Sequence, residues 1–91
     1  MLFIKIVLDL RKVEVRIIKI EVRLFAYFRD GRDKVQILNV DDSTSILDIL
    51  KIIQIREEEV ALLLLNGFDG PSNRKLKDGD VLSLFPPVGG G

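Results

Sequence analysis

Val81-Leu82-Ser83-Leu84-Phe85-Pro86-Pro87-Val88-Gly89-Gly90-Gly91 opens as a strand and ends as a bare lead. The run Val81 to Phe85 has strand character, and the two prolines after it remove two ladder donors and force an extended exit from any sheet. Three glycines then strip every side chain from the last stretch of backbone, which leaves the terminal carboxylate on a thin, flexible thread. A terminus built this way suits insertion into another protein's active site.

Working back from that stretch, Lys77-Asp78-Gly79-Asp80 is a tight-turn signal, because Asp-Gly readily supplies a positive φ. Asp78 and Asp80 read as turn formers, since two exposed carboxylates without a pocket do not make an acid/base pair. Phe68 to Lys75 reads as a loop punctuated by Gly70 and Pro71, and Asn66-Gly67 as a turn. No Lys-Ser/Thr and no helix start follow Asn66-Gly67, so it is not a phosphate-binding loop. Val60 to Leu65 is a short unbroken apolar run, which fits a strand buried on both faces. Arg56-Glu57-Glu58-Glu59 reads as a solvated link.

Further upstream, Ser45 followed by Asp48 fits a capping box, with Ser43 or Thr44 as alternative caps, and Ile46, Leu47, Ile49, Leu50 and Ile53 fall at helical spacing. A helix is expected over about Ser45 to Gln54. Ile18 to Ala26 and Lys34 to Val40 read as two strands joined by a turn at Tyr27–Asp33, where Gly31 can take a positive φ. Residues 2 to 10 alternate, with Leu2, Ile4, Ile6, Leu8 and Leu10 opposite Phe3, Lys5, Val7 and Asp9. The phase slips at Ile17-Ile18, so a bulge or strand break is expected there. The domain organisation is thus 1–17 as an apolar β extension, 18–85 as the folded domain and 86–91 as a flexible glycine tail. Two strand pairs around one helix make an α+β, two-layer architecture.

Composition restricts function. The 91 residues suffice for one small core. Lys plus Arg and Asp plus Glu are both 14, so neither nucleic acid nor an anionic membrane is an expected partner. The absence of Cys and His removes disulfides, Cys/His zinc sites, the strongest side-chain nucleophile and the commonest general base. The apolar start is broken by Lys5 and Asp9 and lacks a small-residue cleavage site, and no segment has the length of a membrane span. A soluble, untargeted, cytoplasmic protein is expected, with no metal or cofactor of its own.

Leu76-Lys77-Asp78-Gly79-Asp80 together with Leu82-Ser83-Leu84-Phe85-Pro86-Pro87-Val88-Gly89-Gly90-Gly91 resembles the C-terminus of the MoaD/ThiS sulfur-carrier family, closest to the molybdopterin synthase small subunit branch. The resemblance covers Ile18 to Gly91. It implies a ubiquitin-like β-grasp fold, in which Val81–Phe85 lies centrally beside Ile18–Ala26 and the tail leaves the rigid middle of the sheet. It further implies that an E1-like enzyme uses ATP to adenylate Gly91, which is then converted to a thiocarboxylate. The sulfur passes to a biosynthetic acceptor, in this branch through the large subunit of molybdopterin synthase. Gly90, Gly89, Val88, Pro87 and Pro86 would thread the partner's channel, and Phe85 and Phe68 would meet its surface. On this reading the chain is not an enzyme, and the catalytic residues belong to its partners. The alternatives are a carrier serving thiamine or another acceptor, a ubiquitin-like modifier of lysines, and a non-covalent binding module. For residues 1–17, self-pairing at a sheet edge, strand exchange and a segment without a role all stay open, order within a sheet being the expectation.

Overall fold

A computed structural model describes residues 15–88, so the expectations for residues 1–14 and for Gly89, Gly90 and Gly91 lie outside it. Five strands, β1 (Ile17–Leu24), β2 (Val35–Asp41), β3 (Leu62–Leu65), β4 (Phe68–Asp69) and β5 (Val81–Phe85), form one sheet in the order β2-β1-β5-β3-β4. β1 and β5 are parallel and the other neighbouring pairs antiparallel, so β5 runs through the middle of a mixed sheet. One helix, α1 (Ile46–Ile52), completes the second layer. This is the ubiquitin-like β-grasp arrangement.

Alternation decides which side of the sheet meets the helix. Ile18, Ile20, Val22 and Leu24 of β1, Leu82 and Leu84 of β5 and Leu63 of β3 are buried with Ile46, Ile49 and Leu50 of α1 in one core. At roughly 2 kcal/mol for each fully buried aliphatic side chain, this single layer carries most of the favourable folding free energy. The intervening positions, among them Lys19, Glu21 and Arg23, occupy the open side of the sheet.

Helix α1 starts where its caps dictate. Ser45 is the N-cap, its hydroxyl accepting the Asp48 N–H at 3.3 Å while Asp48 Oδ2 accepts the Ser45 N–H at 3.0 Å. Gln54, just past the C-cap residue Ile53, has φ +60 and ends the helix, and Arg32 reaches the carbonyls of Ile53 and Gln54 at 3.4 and 3.1 Å.

Three local expectations are corrected. The run Val60–Leu65 is not a strand buried on both faces: β3 begins at Leu62, which is 38% exposed, while Leu63 is 7% exposed. Among the described residues only one face has a helix to pack on, so a continuous apolar run does not guarantee two-sided burial. Phe68–Lys75 is not all loop, because Asn66 and Gly67 both take positive φ, 51 and 85, and so turn a two-residue hairpin that pairs Phe68 with Leu65. The first strand stops at Leu24, short of Ala26, because Ala26 takes φ +51 at the start of a 3₁₀ turn over Ala26–Arg29. At the other end β1 begins at Ile17, paired with Asp41, next to the expected break.

Candidate functional site

The tail leaves from a fixed point. Phe85, the last residue of β5, pairs with Leu62 of β3, and its carbonyl accepts the Ala61 N–H at 2.8 Å. On the other side Phe25 donates its N–H to the Leu84 carbonyl at 3.2 Å. The Phe25 and Phe85 rings stack with centroids 4.2 Å apart and planes 12° from parallel, and the Arg29 guanidinium lies 5.2 Å above the Phe25 ring. Arg29 is held there by donating Nε–H to the Leu24 carbonyl at 2.7 Å.

Beyond Phe85 the neighbouring positions differ sharply. Pro86 is buried, whereas Pro87 and Val88 are exposed, Val88 at 87%. Pro86 therefore belongs to the anchored neck, and the exposed lead begins at Pro87. A φ fixed near −65° at both prolines keeps this transition stiff.

The start of β5 is also secured. Gly79 at φ +86 makes the preceding turn, and its N–H reaches the Lys19 carbonyl at 2.8 Å. Asp78 Oδ1 accepts the Lys19 N–H and Asp80 Oδ2 the Lys77 N–H, both at 2.8 Å. Asn66 spans the two turns, donating Nδ2–H to Asp80 Oδ1 and accepting the Val81 N–H through Oδ1, again both at 2.8 Å. Asp78 and Asp80 are thus turn formers, as their spacing indicates, with Asp78 Oδ1 and both Asp80 oxygens committed to backbone and amide donors.

On the open side of the sheet the neck continues into a surface. Across it, Phe25, Phe85 and Leu62 form one row, and Ile37 and Val35, 50% and 46% exposed, lie on the same side at the outer strand β2. Arg23 and Glu21 form a partly exposed ion pair of 2.5 Å between them, a contact worth at most about 1 kcal/mol. Phe68 is 73% exposed but does not join this row. It pairs with Leu65, which pairs with Leu82, so it stands on the opposite side of the sheet from Phe85. Arg74 holds its loop, donating to the carbonyls of Phe68 and Pro71 at 2.9 and 2.8 Å. Sequence alone assigns Phe25 and Arg29 no site role and puts Leu62 inside a strand buried on both faces. The parity of Phe25 with Glu21 and Arg23 placed it on the open side, but only the parallel pairing of β1 and β5 sets it against Phe85.

Among the described residues no group of three or more Asp, Glu, His or Cys could hold a metal, and no helix is long and apolar enough to cross a membrane. The two carboxyls held below the ordinary aspartate range both serve structure. Asp41 is lowered first by the Ser43 hydroxyl and then by the Ser43 N–H, and Asp48 first by the Ser45 N–H and then by its hydroxyl. The described residues offer an anchored neck and an adjoining apolar row, which can present a terminus and bind a partner.

Known proteins share this arrangement. The model of a family described as ThiS matches residues 22–91. The Haloferax volcanii HVO 2177 protein is 32% identical with a TM-score of 0.67, over 82% of this chain and 88% of its own. SAMP1 from Haloferax volcanii is 25% identical with a TM-score of 0.66, over 80% and 99%, and H. volcanii small archaeal modifier protein 1 shares the fold at 22% identity with a TM-score of 0.66, over 78% and 99%. A complex of subunits 1 and 2 of the molybdopterin-converting factor from Helicobacter pylori contains a chain 30% identical, with a TM-score of 0.58, over 81% and 100%. No curated protein matches the sequence.

Proposed function

The chain belongs to the ThiS family, a family of small ubiquitin-like carriers, and on that premise we propose that it carries sulfur on Gly91 for molybdopterin synthesis. In this role an E1-like partner brings ATP. The Gly91 carboxylate attacks the α-phosphate, pyrophosphate leaves, and a sulfur donor then displaces AMP from the acyl-adenylate to give the thiocarboxylate. The large subunit of molybdopterin synthase, or another acceptor, takes that sulfur. A chain without Cys or His can serve here because ATP and the partners supply the reactive groups.

The observation that carries the proposal is the neck. A lead of Pro87, Val88 and three glycines follows a central strand bonded on both sides, and a buried proline and a stacked ring pair mark the boundary. Such a lead can be threaded into a closed site while the domain docks through the Phe25–Phe85–Leu62 row, and closure against water is what acyl activation requires. The Helicobacter pylori complex supports a second subunit as the docking partner. Kinship with SAMP1 favours a second reading, in which Gly91 is joined to lysines of other proteins.

Intact mass spectrometry separates the two. Incubation with an E1-like enzyme, ATP and a sulfur donor is expected to exchange one terminal oxygen for sulfur on the carrier. A mass that stays fixed, with lysine conjugates accumulating in lysate, would transfer support to the modifier reading.

A further inference from the structure

Among the described residues one side-chain nitrogen is buried without a hydrogen-bonding partner, Nη2 of Arg74. A buried donor left unpaired is costly, and more so on a charged group, so it demands a physical reason.

The guanidinium that carries this nitrogen is fixed in place. Its Nε–H donates to the Pro71 carbonyl at 2.8 Å and Nη1 to the Phe68 carbonyl at 2.9 Å. Gly70 lies so close that a Cβ there would stand 2.8 Å from Arg74 Cζ, so the loop accepts the group only because residue 70 has no side chain. An arginine ordinarily loses rotamer freedom when it binds a ligand, and here the loop has already removed that freedom.

Arg74 forms part of the wall of an open pocket of about 310 Å³. Leu65 and Phe68 give this pocket an apolar side, and Lys75 and Lys77 join Arg74 against Asp80 as its charged lining. Three cations against one carboxylate leave two positive charges in excess. None of the three forms an ion pair among the described residues, whereas both Asp80 oxygens are taken, by Asn66 Nδ2 and the Lys77 N–H. Asp69 does not neutralise the pocket, because it pairs with Leu64 on the open side of the sheet and accepts the Gly70 N–H there.

We propose that this pocket binds a small apolar carboxylate, with one oxygen accepting from Arg74 Nη2 and the apolar body against Phe68 and Leu65. Only one fixed nitrogen is uncommitted, which suits a monoanion. A phosphate dianion would leave most of its oxygens to the flexible lysines. Phe68, 73% exposed, and the exposed lysines can shift to admit the ligand, since such side chains change rotamer within nanoseconds. The site lies across the sheet from the Phe25–Phe85–Leu62 row, so its occupant does not compete with docking at the neck.

Titration of the full-length protein with benzoate, followed by nuclear magnetic resonance, tests the proposal. The Arg74 Nε–H and Gly70 amide signals are expected to shift saturably, with a dissociation constant on the order of millimolar. Benzamide, similar in shape and uncharged, should give no saturable shift. Lys77→Gln should weaken benzoate binding about threefold with the melting temperature unchanged. Gly70→Ala, which pushes the guanidinium aside while keeping every charge, should weaken it at least about tenfold. A capped leucyl-aspartyl dipeptide separates two sources of the carboxylate. Tighter binding than benzoate supports the site with an acidic side chain of another protein as occupant, and weaker binding supports it with a free acid. Shifts that fail to saturate by about 50 mM benzoate, or that benzamide reproduces, would overturn the proposal. So would inorganic phosphate binding as tightly as benzoate, or a crystal grown with benzoate that shows only a water on Nη2.

Discussion

Phe25 stacks on Phe85 and carries the Arg29 guanidinium 5.2 Å over its ring, and it does so partly buried, at the point where the domain ends and the lead begins. Phe25→Ala should lower stability by about 2 kcal/mol, combining a stacked pair worth about 1 kcal/mol with lost burial. Chemical denaturation measures this, and an unchanged midpoint would mean the stack does not hold the neck. Pro86 shows what sequence could not deliver at this scale. It is chemically the same as Pro87, and the resemblance treats both alike, as neck and channel residues, yet only Pro86 is covered by the domain. The difference comes from tertiary neighbours, which no dipeptide encodes.

At the scale of elements, the capping box of α1 was legible because its chemistry is local: Ser45 and Asp48 need only each other and three residues of spacing. Ser45→Ala should cost about 1 kcal/mol at neutral pH. Its pH dependence has a definite sign. Asp48 titrates lower in the folded protein than in the unfolded chain, first because of the Ser45 N–H and then because of its hydroxyl. On acidification the unfolded chain takes up the proton first, so this stabilisation is present above the ordinary aspartate value of about 4 and is lost as pH falls through the folded value. The Ser45→Ala penalty should therefore shrink below about pH 4, which denaturation at both pH values can check. Strand β3 was less legible because burial depends on what faces a strand: the same leucines would have been covered twice in a sheet with helices on both sides, and here the open side leaves Leu62 partly bare. The β3–β4 pairing was missed for a different reason. Asn66-Gly67 announced the turn, but two residues after it are too few to show alternation.

For the molecule as a whole, the central position of β5 followed from the resemblance, and the structure confirms it through the order β2-β1-β5-β3-β4. The partners of the tail were never in the sequence, since recognition depends on surfaces brought together from β1, β3 and β5. Removal of Gly90 and Gly91 should abolish transfer to any acceptor while leaving the thermal midpoint within about 1 °C, because a glycine has no side chain to bury. Melting curves and a transfer assay together decide this, and a large loss of stability would show that the glycines belong to the folded unit.

In the proposed role the terminus enters and leaves a partner's channel and so comes under tension, and the parallel arrangement of β1 and β5 determines how the domain bears it. A pull on Val88 acts along the axis of β5, at right angles to the hydrogen bonds that tie it to β1 on one side and β3 on the other. Those bonds are loaded in shear, all at once, and cannot open one after another like a zipper. Withdrawal should therefore break the grip of the partner before it unravels the carrier, so that one molecule can be drawn out and loaded again.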